Sequence, residues 1–370
     1  MPTKFRKFLS GKVFPILFLL GYILFSVWAT CTTAIAAYTL SSAKWVGIIT
    51  AAIFVFFAIL ILQRTKYSAV FIRKGMAFLR CSAIYYSMWF LIAFVVAILP
   101  VMPDTASAIL ILSAIPAAVI TTVCGYVNAK KITTKRYDLT LGNTGNSYRI
   151  ALISDIHMGL FARTGHIKKI AKAIKKLSPN LIVIAGDIFD VDNSILDDKD
   201  ELKKIGQLFR KLKSRDGIYA VLGNHDPKAD DPRLVRFLKN SHIHLLDNET
   251  KELSNILLVG RSDEDSNIRK TWSETVPENT KKPIVVLDHK PQGIDEAAKY
   301  RASLVLSGHT HKGQFFPITY FTKLANGKNY FYGLNKIDST YGITTAGVGF
   351  FELPVRLMTR NEVVDIQLKL

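Results

Sequence analysis

Apolar residues come in long unbroken runs in the first third of the chain and in short bursts thereafter. Four runs, at 13–38, 45–62, 82–101 and 106–127, contain no Lys, Arg, Asp or Glu. Crossing a bilayer core takes about 20 helical residues, so the pattern predicts four transmembrane helices. Lys4, Arg6, Lys7 and Lys12 precede the first run, as in a signal peptide. That run is too long for a signal peptide's apolar region, and three more follow, so it reads as a retained helix.

Beyond residue 137 the texture changes. Short apolar stretches at 148–153, 181–185, 218–222, 256–259, 284–287 and 304–306 read as strands, and 167–177 and 202–212 as amphipathic helices. Strands alternating with helices predict an α/β domain with largely parallel pairing near its start. The expected organisation is therefore a four-helix transmembrane anchor over 1–137 and an α/β domain over 138–370. The acid-rich segment 190–200 reads as a surface loop.

Charge adds sidedness to this picture. The 370 residues carry a formal net charge of +19, and mean hydropathy is +0.21. Residues 1–137 hold fourteen Lys and Arg against the single acid Asp104, which is +13 of that total. The excess sits between apolar runs, where membrane topology explains it better than nucleic acid does, so no specific nucleic-acid partner is expected. Positive residues crowd the N-terminal tail, the second connection (Arg64, Lys66, Arg73, Lys74, Arg80) and the segment after the fourth run (Lys130, Lys131, Lys135, Arg136). The first connection has only Lys44 and the third has none. The expectation is a multi-pass protein of the cell membrane with both termini and the α/β domain in the cytoplasm. The connection 64–80 also alternates apolar and basic residues, as an interfacial helix on anionic lipid would, or it is a solvated loop. Cys31, Cys81 and Cys124 all lie in the apolar part, so neither a disulfide framework nor a cysteine metal site follows.

The candidate chemistry lies where strands end. The strand at 148–153 runs into Asp155-Ile156-His157, and that at 181–185 into Gly186-Asp187. The strand at 218–222 runs into Gly223-Asn224-His225-Asp226. Asp288-His289 follows 284–287, and Gly308-His309-Thr310-His311 follows 304–306. Ligands in α/β sheets collect at the carboxyl ends of strands. Five of the eight histidines fall in these loops, while His166, His242 and His244 do not and read as structural or surface residues. Each motif alone is weak; five in succession point to a metal centre. Carboxylate, imidazole and amide donors without cysteine suit a catalytic pair of first-row divalent ions better than a closed structural zinc site. Two such ions sharing a carboxylate, with Asp187 the candidate, can clamp a phosphoryl group and acidify a bridging water.

Together these blocks resemble the calcineurin-like metallophosphoesterase family over about 148–370. The flanking Ser154-Asp155-Ile156-His157-Met158-Gly159, Leu306-Ser307-Gly308-His309-Thr310-His311 and Pro354-Val355-Arg356 are similar to its membrane-associated bacterial branch. The resemblance implies two packed mixed β-sheets flanked by helices and a metal-dependent phosphoric ester hydrolase. It implies two divalent ions, most simply Mn, with Fe, Zn or Mg also compatible. Asp155, His157, Asp187 and His311 would hold the first ion, and Asp187, Asn224, His289 and His309 the second. His225 would face the phosphate as the acid, oriented by Asp226.

The sequence departs from that branch at Lys312, where a glycine usually follows. Lys312 could reach a substrate phosphate or be a solvated surface lysine. The stretch 315–332 is rich in Phe and Tyr, which suits a membrane interface, an acyl-chain pocket or ordinary packing. The expected substrate is a phosphomonoester, phosphodiester or pyrophosphate, a lipid-linked one being favoured by tethering at a bilayer. The competing readings are a transporter or a regulatory membrane protein with an appended metal-binding domain. A transporter would be expected to carry ionisable residues within its spans, and these spans have none.

Overall fold

The computed structural model describes residues 13–41, 48, 70–99, 102–143, 145–264, 266, 268–277 and 280–370. These fall into two compact units, 1–127 with 353–355, and 128–352 with 356–370.

In the first unit, α1 (Val13–Ser41), α2 (Val70–Ala97) and α3 (Asp104–Ala129) are long and apolar enough to cross a membrane. The expected span at 45–62 lies outside the described residues apart from Ile48. The basic segment 70–80 is neither a separate interfacial helix nor a loop. It is the first part of α2, continuous with the span expected at 82–101. Polar side chains join the helices: the Thr33 and Tyr86 hydroxyls lie 2.5 Å apart, and Trp89 Nε1 donates to Thr121 Oγ1 at 2.9 Å. Trp28, Phe90 and Phe94 pack edge to face or stacked beside them. In lipid such packing and hydrogen bonds replace the hydrophobic drive between helices.

The second unit is two six-stranded mixed sheets. The first runs β1 (Ile132–Thr140), β12 (Asn361–Lys369), β2 (Ser147–Ile153), β3 (Leu181–Ala185), β4 (Ile218–Val221), β5 (Ile243–Leu245). The second runs β10 (Gly333–Ile337), β11 (Thr340–Thr344), β9 (Leu304–Ser307), β8 (Ile284–Leu287), β7 (Leu257–Gly260), β6 (Glu249–Glu252). Strands β2 to β5 are parallel in sequence order, as are β7 to β9. Their carboxyl ends therefore lie along one edge of each sheet.

Alternation within the strands builds the layers. Ile150, Leu152, Leu181, Val183, Leu258, Val285, Leu304 and Leu306 point into a core between the sheets. Ala151, Ile153, Ile182 and Ile184 face outward against α4 (Thr164–Leu177), α5 (Lys199–Arg210) and α6 (Pro232–Ser241). Helix α4 shows why it lies there. Ile167, Ile170, Ala171, Ile174 and Leu177 recur at helical spacing and are buried, with lysines at 168, 169, 172, 175 and 176 between them. It stops at Ser178, which takes a left-handed conformation at φ +46°. Strands covered on both faces must be apolar throughout, hence the uninterrupted Leu181–Ala185.

Candidate metal centre

The loops after β2, β3, β8 and β9 bring their polar side chains to one buried cluster. Asp155, His157, Asp187 and His311 form one group of donors, and Asp187, His289 and His309 a second. Donor atoms within each group lie within 4.8 Å of one another, and Asp187 belongs to both. Asn224 is exposed in the turn between Gly223, whose Cα abuts Asp187, and His225, whose N–H donates to Asp187 Oδ1 at 3.0 Å.

The backbone turns sharply to do this. Asp155, His157, Asp187, His309 and His311 all have positive φ, between +47° and +69°. Left-handed backbone costs a non-glycine residue about 1–2 kcal/mol, and such strain gathers at functional sites. Ladder-like bonds hold the turns in place: Asp155 N to Gly186 O at 3.0 Å, His157 N to Asp187 O at 3.1 Å. Gly186, at φ +82°, must lack a side chain, because a Cβ there would stand 2.5 Å from His289 Nδ1.

The charges call for a cation. His289 Nδ1 lies 2.8 Å from the Ala185 carbonyl, which can only accept, so Nδ1 carries the proton. Neutral His289 then turns the lone pair of Nε2 towards Asp187 Oδ2 at 3.1 Å, and Nε2 has no hydrogen-bond partner. Burial alone would lower the His289 pKa, but the Asp187 carboxylate outweighs it and pushes the imidazole up to about 10. Asp187 therefore favours positive charge at His289 Nε2, which a proton supplies in the absence of metal and a bound cation would supply in its place. The Nε2 atoms of His157 and His311 face each other at 3.0 Å, and His157 Nδ1 is buried without a hydrogen-bond partner. Burial pushes His157 down to about 4, His309 down to about 3, and His311 well below its ordinary value. The neutral imidazoles of His157, His309 and His311 are in the protonation state that metal ligation requires, and His289 would release a proton on binding. The donor set therefore fits a pair of divalent ions sharing one carboxylate, and its chemistry does not select among Mn, Fe, Zn and Mg.

His225 stands at the open side of the cluster. Its ring stacks on Phe351 with centroids 4.9 Å apart and lies 5.5 Å from the His157 ring. The Asp226 carboxylate does not accept the expected hydrogen bond from His225. The Asp226 carboxylate instead accepts from Phe189 N at 2.8 Å and Gly223 N at 2.9 Å, tying down the turn that carries His225. Asp288, next to His289, ion-pairs with Arg269 at 2.6 Å rather than joining the cluster. His166 is buried with Nε2 2.7 Å from Val348 O, while His242 and His244 are exposed and outside the cluster.

The strand-end motifs alone do not reveal three supporting residues. Arg356 is fully buried and donates to the carbonyl oxygens of His311, Ala346 and Gly349 at 2.7–2.8 Å. Ser154 Oγ donates to Asp155 Oδ2 at 2.5 Å. Phe351 rests its ring against His157, His225 and His311, and Gln314 bonds both its backbone groups. Arg356 and Ser154 have a signal in the sequence, in Pro354-Val355-Arg356 and in Ser154-Asp155-Ile156-His157-Met158-Gly159, and Phe351 has none.

Residues 148–313 match the family model described as calcineurin-like phosphoesterase. The chain is 31% identical over 243 residues to a transmembrane protein with metallophosphoesterase domain from Danio rerio, covering 60% of this chain and 54% of that one. It is 29% identical over 241 residues to a metallophosphoesterase of Helicobacter pylori strain 26695, covering 63% of each. A metallophosphoesterase of Aquifex aeolicus is 30% identical over 244 residues, covering 61% of this chain and 86% of that one. The chain thus spans 54% and 63% of the length of the first two relatives.

Proposed function

The chain belongs to the calcineurin-like metallophosphoesterase family, and from that premise we propose a membrane-anchored, metal-dependent phosphoester hydrolase. The observation that carries this reading is the Asp187 carboxylate shared by two groups of buried donors. Asp155, His157, Asp187 and His311 would hold one ion; Asp187, Asn224, His289 and His309 would hold the other. Manganese is the first choice for an oxygen-rich set with imidazole. When bound, the pair supplies the positive charge that a transferring phosphoryl group needs.

The chain's own residues do the rest. His225, partly exposed beside the cluster, donates the proton to the leaving oxygen. Asp226 positions it through the turn rather than by direct contact. Phe351 and the buried rims at Ser154 and Gly308 limit water on one side of the centre. Holding the reacting groups in fixed geometry removes most of the entropic cost of the encounter.

The substrate we favour is a lipid-linked phosphodiester or pyrophosphate. Apolar helices α1 to α3 support it, as do Phe316, Tyr320 and Phe321, each 40–59% exposed on the catalytic unit. The anchor is proposed over 1–137 and the catalytic domain over 138–370, except that β1, from Ile132, pairs with β12 and goes with the catalytic sheet. The catalytic domain would lie on the cytoplasmic side of the cell membrane, which a C-terminal topology reporter tests.

The direct test is turnover by the purified full-length protein with Mn²⁺, on lipid phosphodiesters in detergent and on a soluble diester. Asp187→Asn and His225→Ala should both lose nearly all turnover, and only Asp187→Asn should also lose metal. Wild-type turnover in both variants would overturn the assignment. Equal rates on lipid and soluble diesters would remove the lipid part alone.

A further inference from the structure

At the outer edge shared by the two sheets, a cavity of about 460 Å³ opens between β1 and the loops leading into β10 and β12. Three cations line it: Lys135 on β1, Lys312 just after the His309–His311 loop, and Arg360 just before β12. The wall holds one acid, Glu362, and its carboxylate is already engaged. It accepts from Tyr332 Oη at 2.8 Å, Thr345 Oγ1 at 3.1 Å and Ala346 N at 3.1 Å. Among the described residues, none of Lys135, Lys312 and Arg360 forms an ion pair. The cavity therefore carries a surplus of unpaired positive charge.

Lys312 bears a particular cost. Its backbone is left-handed, at φ +53°, where glycine would cost least. Its side chain is half-buried, with Nζ 4.0 Å from the centre of the Tyr332 ring. Met358, which also lines the cavity, is left-handed too, at φ +62°. Lys135 has a simpler explanation, since register puts it on the Glu362 face of edge strand β1, and an inward lysine on an edge strand blocks pairing with other chains. That account does not reach Lys312 or Arg360, which lie outside the strands.

We propose that this cavity is a second anion site, separate from the metal centre, that binds a phosphate group carried on a headgroup. Lysine and arginine together are the usual partners of phosphate, one as a point charge and the other as a fork. The volume falls in the range of small-molecule sites and leaves room for what the phosphate is attached to. The Tyr332 ring and the Met358 side chain give that remainder an apolar wall. The phosphate can come from a lipid headgroup or from solution, and both present the same charge to the three cations.

The test is calorimetric titration of the Mn²⁺-loaded full-length protein in detergent, with inorganic phosphate and with dihexanoyl phosphatidylglycerol below its micellar concentration. The Lys135→Ala/Arg360→Ala double variant should lose one binding event relative to wild type, or bind at least tenfold more weakly at one of two sites. Lys312→Gly, which removes the backbone strain, should weaken the same event without lowering the thermal midpoint. Loss of the lipid event alone assigns the site to headgroups; loss of the phosphate event as well assigns it to any phosphate anion. The proposal is overturned if wild type shows no event beyond that of the metal centre, or if both variants titrate as wild type does. Should the double variant not fold, the Lys312→Gly titration decides.

Discussion

Arg356 Nη1 donates to the carbonyl oxygen of His311 at 2.8 Å, and the whole arginine is sealed from solvent. That bond fixes a loop whose backbone is left-handed at His309, His311 and Lys312. Burial lowers the Arg356 pKa to about 10, yet it remains a cation at neutral pH. The guanidinium thus spans three carbonyls, His311 O, which also accepts from Gln314 N at 2.9 Å, and the Ala346 and Gly349 oxygens. Arg356→Lys keeps the charge but not the fork. It should weaken metal binding about 10- to 100-fold, as losing a group that orients a ligand does. Arg356→Met leaves buried carbonyls without donors and should cost about 3–5 kcal/mol. Thermal midpoints with and without Mn²⁺ separate the two effects. Unchanged metal affinity in the lysine variant would mean that the loop is held by something else.

Asp187 and His309 give contrasting stoichiometries. Asp187 joins both donor groups, and His309 only one. Asp187→Asn should leave the protein without bound metal after dialysis against low micromolar Mn²⁺. His309→Ala should retain about one ion per chain by mass spectrometry of the metal. Two ions retained in Asp187→Asn would dismiss the shared carboxylate.

Much of this centre is legible in the sequence, because its candidate ligands follow apolar strands directly. Asp155, Asp187, His289 and His309 each stand within three residues of a strand's last residue. Order and residue type therefore announced the rim. The left-handed backbone at Asp155, His157, Asp187, His309 and His311 is not legible, since Asp and His tolerate positive φ better than most residues but do not require it; the tertiary hydrogen bonds of the loops impose it. Strand β1 was also hidden. Its sequence Ile-Thr-Thr-Lys-Arg-Tyr-Asp-Leu-Thr is mostly polar, because an edge strand needs few buried side chains. Asp226 misled for a related reason: sequence adjacency suggested His225 as its partner, but two backbone N–H groups of a tight turn competed better.

The catalytic unit should also lose stability in acid through one identifiable pair. Arg149 Nε and Nη2 donate to the two oxygens of Asp365 at 2.8 and 2.9 Å, joining β2 to β12. Burial would raise the Asp365 pKa, but the arginine outweighs it and holds the carboxyl below its ordinary value. A depressed folded pKa stabilises fully above the unfolded value of about 3.9, and the gain disappears as pH falls through the folded one. Asp365→Asn should therefore lower the thermal midpoint at pH 7 by an amount equivalent to about 1–3 kcal/mol. The gap between variant and wild type should hold down to about pH 4.5 and narrow below pH 4. A gap that stays constant to pH 3 would show that the carboxylate contributes no charge-dependent stability.

The exposed aromatic residues offer the sharpest test of the substrate. Helix α9 (Ile318–Asn326), the ninth of the labelled helices among the described residues after two short ones at Trp272–Thr275 and Gly293–Lys299, has no buried residue. Tyr320 and Phe321 on it are 59% and 42% exposed, and Phe316 just before it is 40% exposed. Three large rings turned to water in one short segment are poor design for an isolated soluble surface, where contiguous apolar patches mark interaction sites. Aromatic rings at a bilayer interface are stabilised there by burying the ring while keeping polar atoms wet. Replacing all three with serine removes no buried contact, so folding and metal content should be unaffected. If the segment engages lipid, the triple variant should raise KM for a lipid phosphodiester in mixed micelles about tenfold or more. On a soluble diester, kcat and KM should both remain at wild-type values, because neither the donors nor His225 has changed. An equal loss on both substrates would place the segment's role in the catalytic centre itself. No loss on either would leave the aromatic residues without a part in substrate capture.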